Sequence, residues 1–257
     1  RYADSNGYER DAAKPEVWRY RDYVIRSLNA DKSFDQFIVE QLAGDEMEDA
    51  TTETILATGF NRLGPWDDEP ADFAVDRFDQ LDDLVNTTAQ AFLGLTMGCA
   101  RCHDHKFDPL LQTDYYSMVA IFNPLKRPQS GRSELTRYAV LPKQAKALEE
   151  RDKKIKAAKD AVKKIEEQLK KKPDDETLTK KKAEQNALVV RLEKEHPSAP
   201  KGYFLHEASP QAPITHLLKR GNPKTPGSVT PPAIPVVFAR EQPTFLSPSA
   251  HTSRRRL

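Results

Sequence analysis

Both cysteines of the chain, Cys99 and Cys102, stand three positions apart with His103 directly after the second, inside the stretch Gly98-Cys99-Ala100-Arg101-Cys102-His103-Asp104-His105-Lys106-Phe107-Asp108-Pro109. That spacing is the attachment pattern of a c-type haem. Two thiols one turn apart can add to the two vinyl groups on one edge of a porphyrin, and the next imidazole then lies under the ring within reach of the iron. Cys99 and Cys102 are therefore the candidate thioether anchors, His103 the candidate proximal ligand, and Arg101 a candidate partner of a haem propionate. Two other chemistries stay open for the same residues. Cys99 and Cys102 could close a disulfide, although so short a loop is more often redox-active than structural. Zinc could be held by Cys99, Cys102 and His103 or His105, although structural zinc sites usually gather two separated ligand pairs.

The sixth iron position decides between transfer of electrons and chemistry on a substrate. Met118 is the nearest methionine downstream, although on a short helix it reads first as a core residue, and His196, His206, His216 and His251 are more distant candidates that read first as ordinary surface histidines. His105 is too close to His103 to reach the opposite face of the same ring. With no sixth ligand the iron would be open, and His105 would be the candidate catalytic residue, a proton donor or acceptor at the haem edge. In the plainer reading His105 hydrogen-bonds the backbone and Asp108 caps the turn before Pro109. The acidic set Asp67, Asp68, Glu69, Asp72, Asp76, Asp79, Asp82 and Asp83 offers hard oxygen ligands for calcium, but its spacing matches no EF-hand loop.

Several helices must position this loop. Pro15 suits the first turn of a helix whose apolar residues are Val17, Tyr20, Val24 and Leu28. Ser33-Phe34-Asp35-Gln36 reads as a capping box before a helix with Phe34, Phe37, Ile38 and Leu42 on one face and Gly44 at its end. A short helix is expected over Thr52–Gly59, and the proline-bounded stretch 62–70 is a loop. Leu81, Leu84, Val85, Thr88, Ala89 and Phe92 mark a longer helix leading into the cysteines. After Pro109, Thr113 can cap a helix over 114–122 that buries Tyr116, Val119 and one of Ile121 and Phe122.

Beyond that unit the composition changes. Leu148, Ile155, Ala158, Val162, Ile165 and Leu169 follow three- and four-residue steps, a coiled-coil seam. Lys172-Pro173-Asp174-Asp175 breaks it, and Leu178, Leu188 and Leu192 continue on a second arm. Residues 197–257 are rich in proline, with short strands or extended runs at 214–218 and 234–239 and turns at Gly221-Asn222-Pro223 and Pro226-Gly227. The expected fold is mainly α. It comprises a helical haem-type domain over 1–130, an antiparallel coiled-coil hairpin over 143–196, and a proline-rich tail over 197–257 linking to a domain outside the chain.

With 257 residues, 38% hydrophobic, 31% charged and a formal net charge of +1, the chain offers no electrostatic case for nucleic acid. No apolar run approaches the roughly 20 residues of a membrane span. The chain opens at Arg1 and stops at Arg254-Arg255-Arg256-Leu257 without a closing element, which reads as a piece trimmed at both ends.

Arg1 to Asp11, Gly64-Pro65-Trp66-Asp67-Asp68-Glu69-Pro70, Gln80-Leu81-Asp82-Asp83 and above all Gly98 to Pro109 resemble the planctomycete cytochrome-associated domain of unknown function. The resemblance is dense over residues 1–125. It is weaker over 214–227, where Leu218-Lys219-Arg220-Gly221-Asn222-Pro223 resembles the link to a second domain in longer members. It implies an exported multidomain protein, an oxidising extracytoplasmic (periplasmic or secreted) setting and covalent haem c, and it carries no reaction. The expectation is electron transfer within a larger redox protein, with its other domains or redox proteins as partners and oligomerisation through the seam open. The rival expectations are a haem oxidoreductase acting on a substrate such as a carbohydrate, and a zinc or disulfide interaction module.

Overall fold

The computed structural model describes residues 2–7, 11–64, 66–170, 172–173, 175–238, 241 and 251–256. Arg1, Tyr8, Glu9, Arg10 and Pro65 of the resemblance lie outside the described residues, as do Asp174 in the expected hairpin break, Ala239 at the end of the second tail run, and Leu257. Among the described residues the protein is mainly α. No helix there is long and apolar enough to cross a membrane.

The chain divides into two units, one formed by residues 1–137 with 201–257 and the other by 138–200. In the first unit, helix α1 (Trp18–Asn29) follows a turn that contains Pro15. Its inner face is Val17, Tyr20, Tyr23 and Ser27, and the expected fourth apolar residue, Leu28, is 68% exposed. Tyr23 takes the inward position one step away from Val24 because its hydroxyl reaches buried Glu40 at 2.8 Å.

Helix α2 (Phe34–Ala43) begins where expected, but Ser33 makes no cap bond to the helix amides. Its hydroxyl serves the neighbouring Asp35 carboxylate, whose pKa falls. The capping box belongs instead to α3 (Thr52–Ala57). There Thr54 N donates to Thr51 Oγ1 at 3.3 Å and Thr51 N to Thr54 Oγ1 at 2.9 Å. A short α4 (Gly59–Arg62) follows, so the chain is still helical at Arg62, where a loop is expected.

Helix α5 (Phe73–Thr88) is capped by Asp72, whose Oδ1 accepts from Ala74 N and Val75 N. It buries Leu81, Leu84, Val85 and Thr88 on the expected face, then widens into a π turn over Ala89–Leu93. Helix α6 (Gln112–Phe122) is held at its start by Asp114, which accepts from Leu111 N at 2.9 Å. The expected cap, Thr113, is instead inside the helix, because the Asp114 carboxylate, three residues in, accepts from the amide of Leu111. Both Ile121 and Phe122 are buried.

The proline-rich tail supplies core residues. Leu205 and Leu218 pack with Leu81, Met97, Tyr116 and Phe122, each burial contributing about 1.5–3 kcal/mol. The tail strands are short. His206–Glu207 pairs antiparallel with Leu125–Lys126, and His216–Leu218 with Pro226–Val229. Pro226-Gly227 is therefore strand, not turn. Residues 234–238 form no strand.

In the second unit, α7 (Pro142–Leu169) and α8 (Glu176–Glu195) pack as an antiparallel hairpin. Glu166 late in α7 meets Lys182 early in α8 at 2.8 Å, and Lys159 meets Glu193 at 3.6 Å. Ile155 and Ala158 are buried against Val189 and Leu192. Val162, Ile165 and Leu169 are only half-buried, so the seam opens towards the tip.

Candidate functional site

The loop after α5 has two faces. Gly94 ends the π turn at φ +66°, a left-handed conformation that a β-carbon disfavours. A 3-10 turn then runs from Met97 to Arg101. Three residues per turn eclipse positions i and i+3. Met97 and Ala100 thus share the inward side, both fully buried, and Cys99 and Cys102 share the outward side, both exposed with free thiols.

His103 is exposed, and its Nδ1 lies 2.7 Å from the Asp104 carbonyl oxygen. A proton on Nδ1 donated there leaves Nε2 as a free lone-pair donor. His105 is used differently. Its side chain is 8% exposed, and its Nδ1 accepts from Asp108 N at 2.8 Å and Phe107 N at 3.2 Å. Nε2 stands 3.5 Å from Thr96 Oγ1. Both ring nitrogens of His105 are thereby engaged in folding the loop, and Asp108 Oδ2 lies 3.4 Å from the ring.

Arg101 turns to protein carboxylates, 2.8 Å from Asp79 and 3.7 Å from Asp82. Its carbonyl accepts from Tyr116 Oη and from Gln112 Nε2, both at 3.0 Å. Burial holds the Tyr116 hydroxyl protonated, its pKa pushed up to about 12. Gln112 Nε2 also reaches Leu218 O at 3.1 Å, which clamps the tail to the cysteine loop. Gly221 follows at φ +70°, so close that a β-carbon there would lie 2.9 Å from Cys102 Sγ. The two segments that carry the strong and the weak parts of the resemblance are therefore in contact.

Met118 is not brought to the loop surface. It is buried in α6 and lines an apolar cavity of about 270 Å3 with Leu42, Phe92 and Phe238, to which Cys99, Cys102 and His103 do not contribute. His206 and His216 bond the carbonyls of Lys126 and Gly227, each at 3.1 Å. His196 caps α8, and His251 lies 3.8 Å from Asp45.

The acidic set is dispersed over separate tasks. Asp72 caps α5 and meets Lys224 at 2.9 Å, Asp76 accepts from Gln80, Asp79 and Asp82 hold Arg101, and Glu69 pairs with Arg132. None of these carboxylates belongs to a grouping of three potential metal-ligand atoms among the described residues.

Residues 1–127 match the family model PSCyt2, a protein of unknown function (DUF1549). Neither the curated proteins nor the solved structures give a match. The PSCyt2 match covers the cysteine loop, α1 to α6 and the arginine pair below, but not Leu218 or Gly221.

A second feature, only partly within the matched residues, has no signal in spacing. Asn6, Asp11, Lys14, Trp66 and Asp68 line a cavity of about 310 Å3, closed by Arg132, Glu134 and Tyr203. Lys14 is 5% exposed, and burial next to Arg62 and Arg127 lowers its pKa to about 7. Between pH 7 and about 10.5 the unfolded chain holds the Lys14 proton and the folded chain does not, so stability rises with pH across that window. Lys14→Met is expected to flatten that rise and to raise the melting temperature at pH 7. Urea denaturation at several pH values checks the slope and a thermal scan at pH 7 the melting temperature, and an unchanged slope would mean that Lys14 stays charged in the fold.

Proposed function

We propose that residues 98–109 are the attachment loop of a c-type haem and that the protein works in electron transfer within a larger extracytoplasmic redox protein. The observation that carries this reading is the donor set on the exposed face of the 3-10 turn. Two free thiols share one side, and the adjacent imidazole has Nε2 open while Nδ1 bonds a backbone carbonyl. Metal-bound histidines usually donate their second ring nitrogen in this way, which fixes the ring and raises its basicity. When bound, haem supplies a one-electron iron couple whose potential follows its axial ligand and burial.

The residues of the chain have distinct parts in this reading. Cys99 and Cys102 anchor, His103 ligates, and His105 folds the loop through the amides of Phe107 and Asp108. Arg101, held by Asp79, is an orienting residue of the loop. The partners are other domains of the same protein or separate redox proteins, and the hairpin is open to self-association. A second reading draws on the engagement of Met118, His206 and His216 elsewhere, which favours an open sixth position and a haem oxidoreductase. Carbon monoxide uptake by the ferrous protein separates the two.

The test of haem itself is the alkaline pyridine spectrum of protein made in a host with haem-attachment machinery. A reduced c-type band that stays with the polypeptide is expected, and it should vanish in Cys99→Ala/Cys102→Ala. Colourless protein carrying zinc, or an oxidised Cys99–Cys102 pair, would overturn both haem readings.

A further inference from the structure

A buried group of charges lies outside the cysteine loop, where the α2–α3 connection, the strand His206–Glu207 and the turn around 251–255 meet. Arg255 stands at its centre. It donates to Asp45 at 2.7 and 3.0 Å, lies 2.7 Å from Glu46 Oε1, and comes within 3.6 Å of Glu207. The side chains of Glu46 and Glu207 are 1% and 0% exposed. Asp45, Glu46 and Glu207 thus set three carboxyl groups against the single guanidinium of Arg255. The next cation, Arg254, spends Nη1 on the Ala120 carbonyl at 2.7 Å.

The unbalanced charge is matched by unmet bonding. Beyond the Arg255 ion pair, the Glu46 carboxylate oxygens accept no well-aligned hydrogen bond, and buried His251 Nδ1 makes none, lying 3.8 Å from Asp45 Oδ2. Ligand atoms from Glu46, Glu207 and His251 lie within 4.8 Å of one another. Tetrahedral zinc bonds of about 2.0–2.2 Å would place two ligands about 3.3–3.6 Å apart, so side-chain rotation must draw the set together by up to about 1.5 Å. Glu207 is already oriented from behind, accepting from both the amide and the hydroxyl of Thr252. Fixed carboxylates of this kind surround protein metal ions.

We propose that Glu46, Glu207 and His251 bind one divalent cation of the zinc type, with Asp45 and Arg255 completing the charge balance around it. The donor set of two carboxylates and one imidazole suits zinc and also accommodates manganese or ferrous iron. A doubly charged ion cancels the excess that Arg255 leaves. Its role is a clasp joining the 251–255 turn to the α2 end.

The experiment uses the full chain carrying Cys99→Ser and Cys102→Ser, which removes the thiols as zinc ligands and makes the outcome independent of the haem reading. After chelator treatment, zinc is titrated by calorimetry at pH 7.5. One equivalent is expected to bind, with affinity reduced at least tenfold by Glu46→Gln and by His251→Asn. His251 is the less buried of the two, so its variant keeps the test open if Glu46→Gln fails to fold by circular dichroism. No stoichiometric zinc uptake would overturn the site, as would uptake that His251→Asn leaves unchanged.

Discussion

Replacing Arg62 with methionine is expected to destabilise the first unit by about 3–5 kcal/mol, the usual loss when one partner of a buried ion pair is removed. Arg62 is 0% exposed and Glu134 only 5% exposed. The guanidinium holds Glu134 through both Nε and Nη2, and it also reaches Asn6 Oδ1 at 2.9 Å. The lost bonds matter less than the carboxylate left behind, which would face the desolvation penalty without a cation. Adding Glu134→Leu to Arg62→Met should therefore restore most of the loss, whereas Arg62→Lys should not, because an ammonium cannot make the two-pronged contact. Tryptophan fluorescence in urea reads the first unit alone, since Trp18 and Trp66 both lie there. A loss below about 1 kcal/mol for Arg62→Met would show that Glu134 finds water or another partner.

Gly44→Ala is expected to be nearly as harmful, by about 2–3 kcal/mol. The reason is contact, not conformation. Gly44 has φ −61° and ψ −22°, angles that alanine adopts readily. An added β-carbon, however, would overlap the carbonyl oxygens of Thr54 and Glu40 and lie 2.8 Å from the Thr54 carbonyl carbon. These are backbone atoms of α2 and α3, which cannot rotate away as a side chain could. Alanine would gain about 0.4–1 kcal/mol through a less flexible unfolded chain, too little to offset the overlap. Gly94→Ala is the control, since nothing lies within 4 Å of its added carbon and its penalty is the φ of +66° alone, about 1–2 kcal/mol. Equal stability of Gly44→Ala and the parent would mean that α2 and α3 can separate.

What the sequence made legible was whatever depends on period. The α5 face, the Ile155 and Ala158 contact of the hairpin, and the outward pairing of Cys99 with Cys102 all follow from spacing within one element. The caps of α2 and α6 differ from the pattern in the sequence because the choice between Ser33 and nearby Asp35, or between Thr113 and Asp114, turns on which oxygen is nearer a free amide. Arg62, Lys14 and Arg255 were invisible for a different reason. Each is a charged side chain whose burial is made possible, or left unfavourable, by groups far along the chain: Glu134, Arg127, Asp45 and Glu207. Nothing in the local pattern around them announces a partner. The contact of Gly221 with Cys102 belongs to the same class, although the turn itself could be read from Gly221-Asn222-Pro223.

The clamp at Gln112 also sets an order of events. Its second acceptor, the carbonyl of Leu218, comes 106 residues later in the chain. A ribosome adding 5–20 residues per second delivers that segment about 5–20 s after Gln112, and the whole hairpin is synthesised in between. Throughout that interval Cys102 lacks the Gly221 backbone that later lies against its sulfur, so any enzyme that must grip the cysteine loop from that side meets a more open substrate early than late.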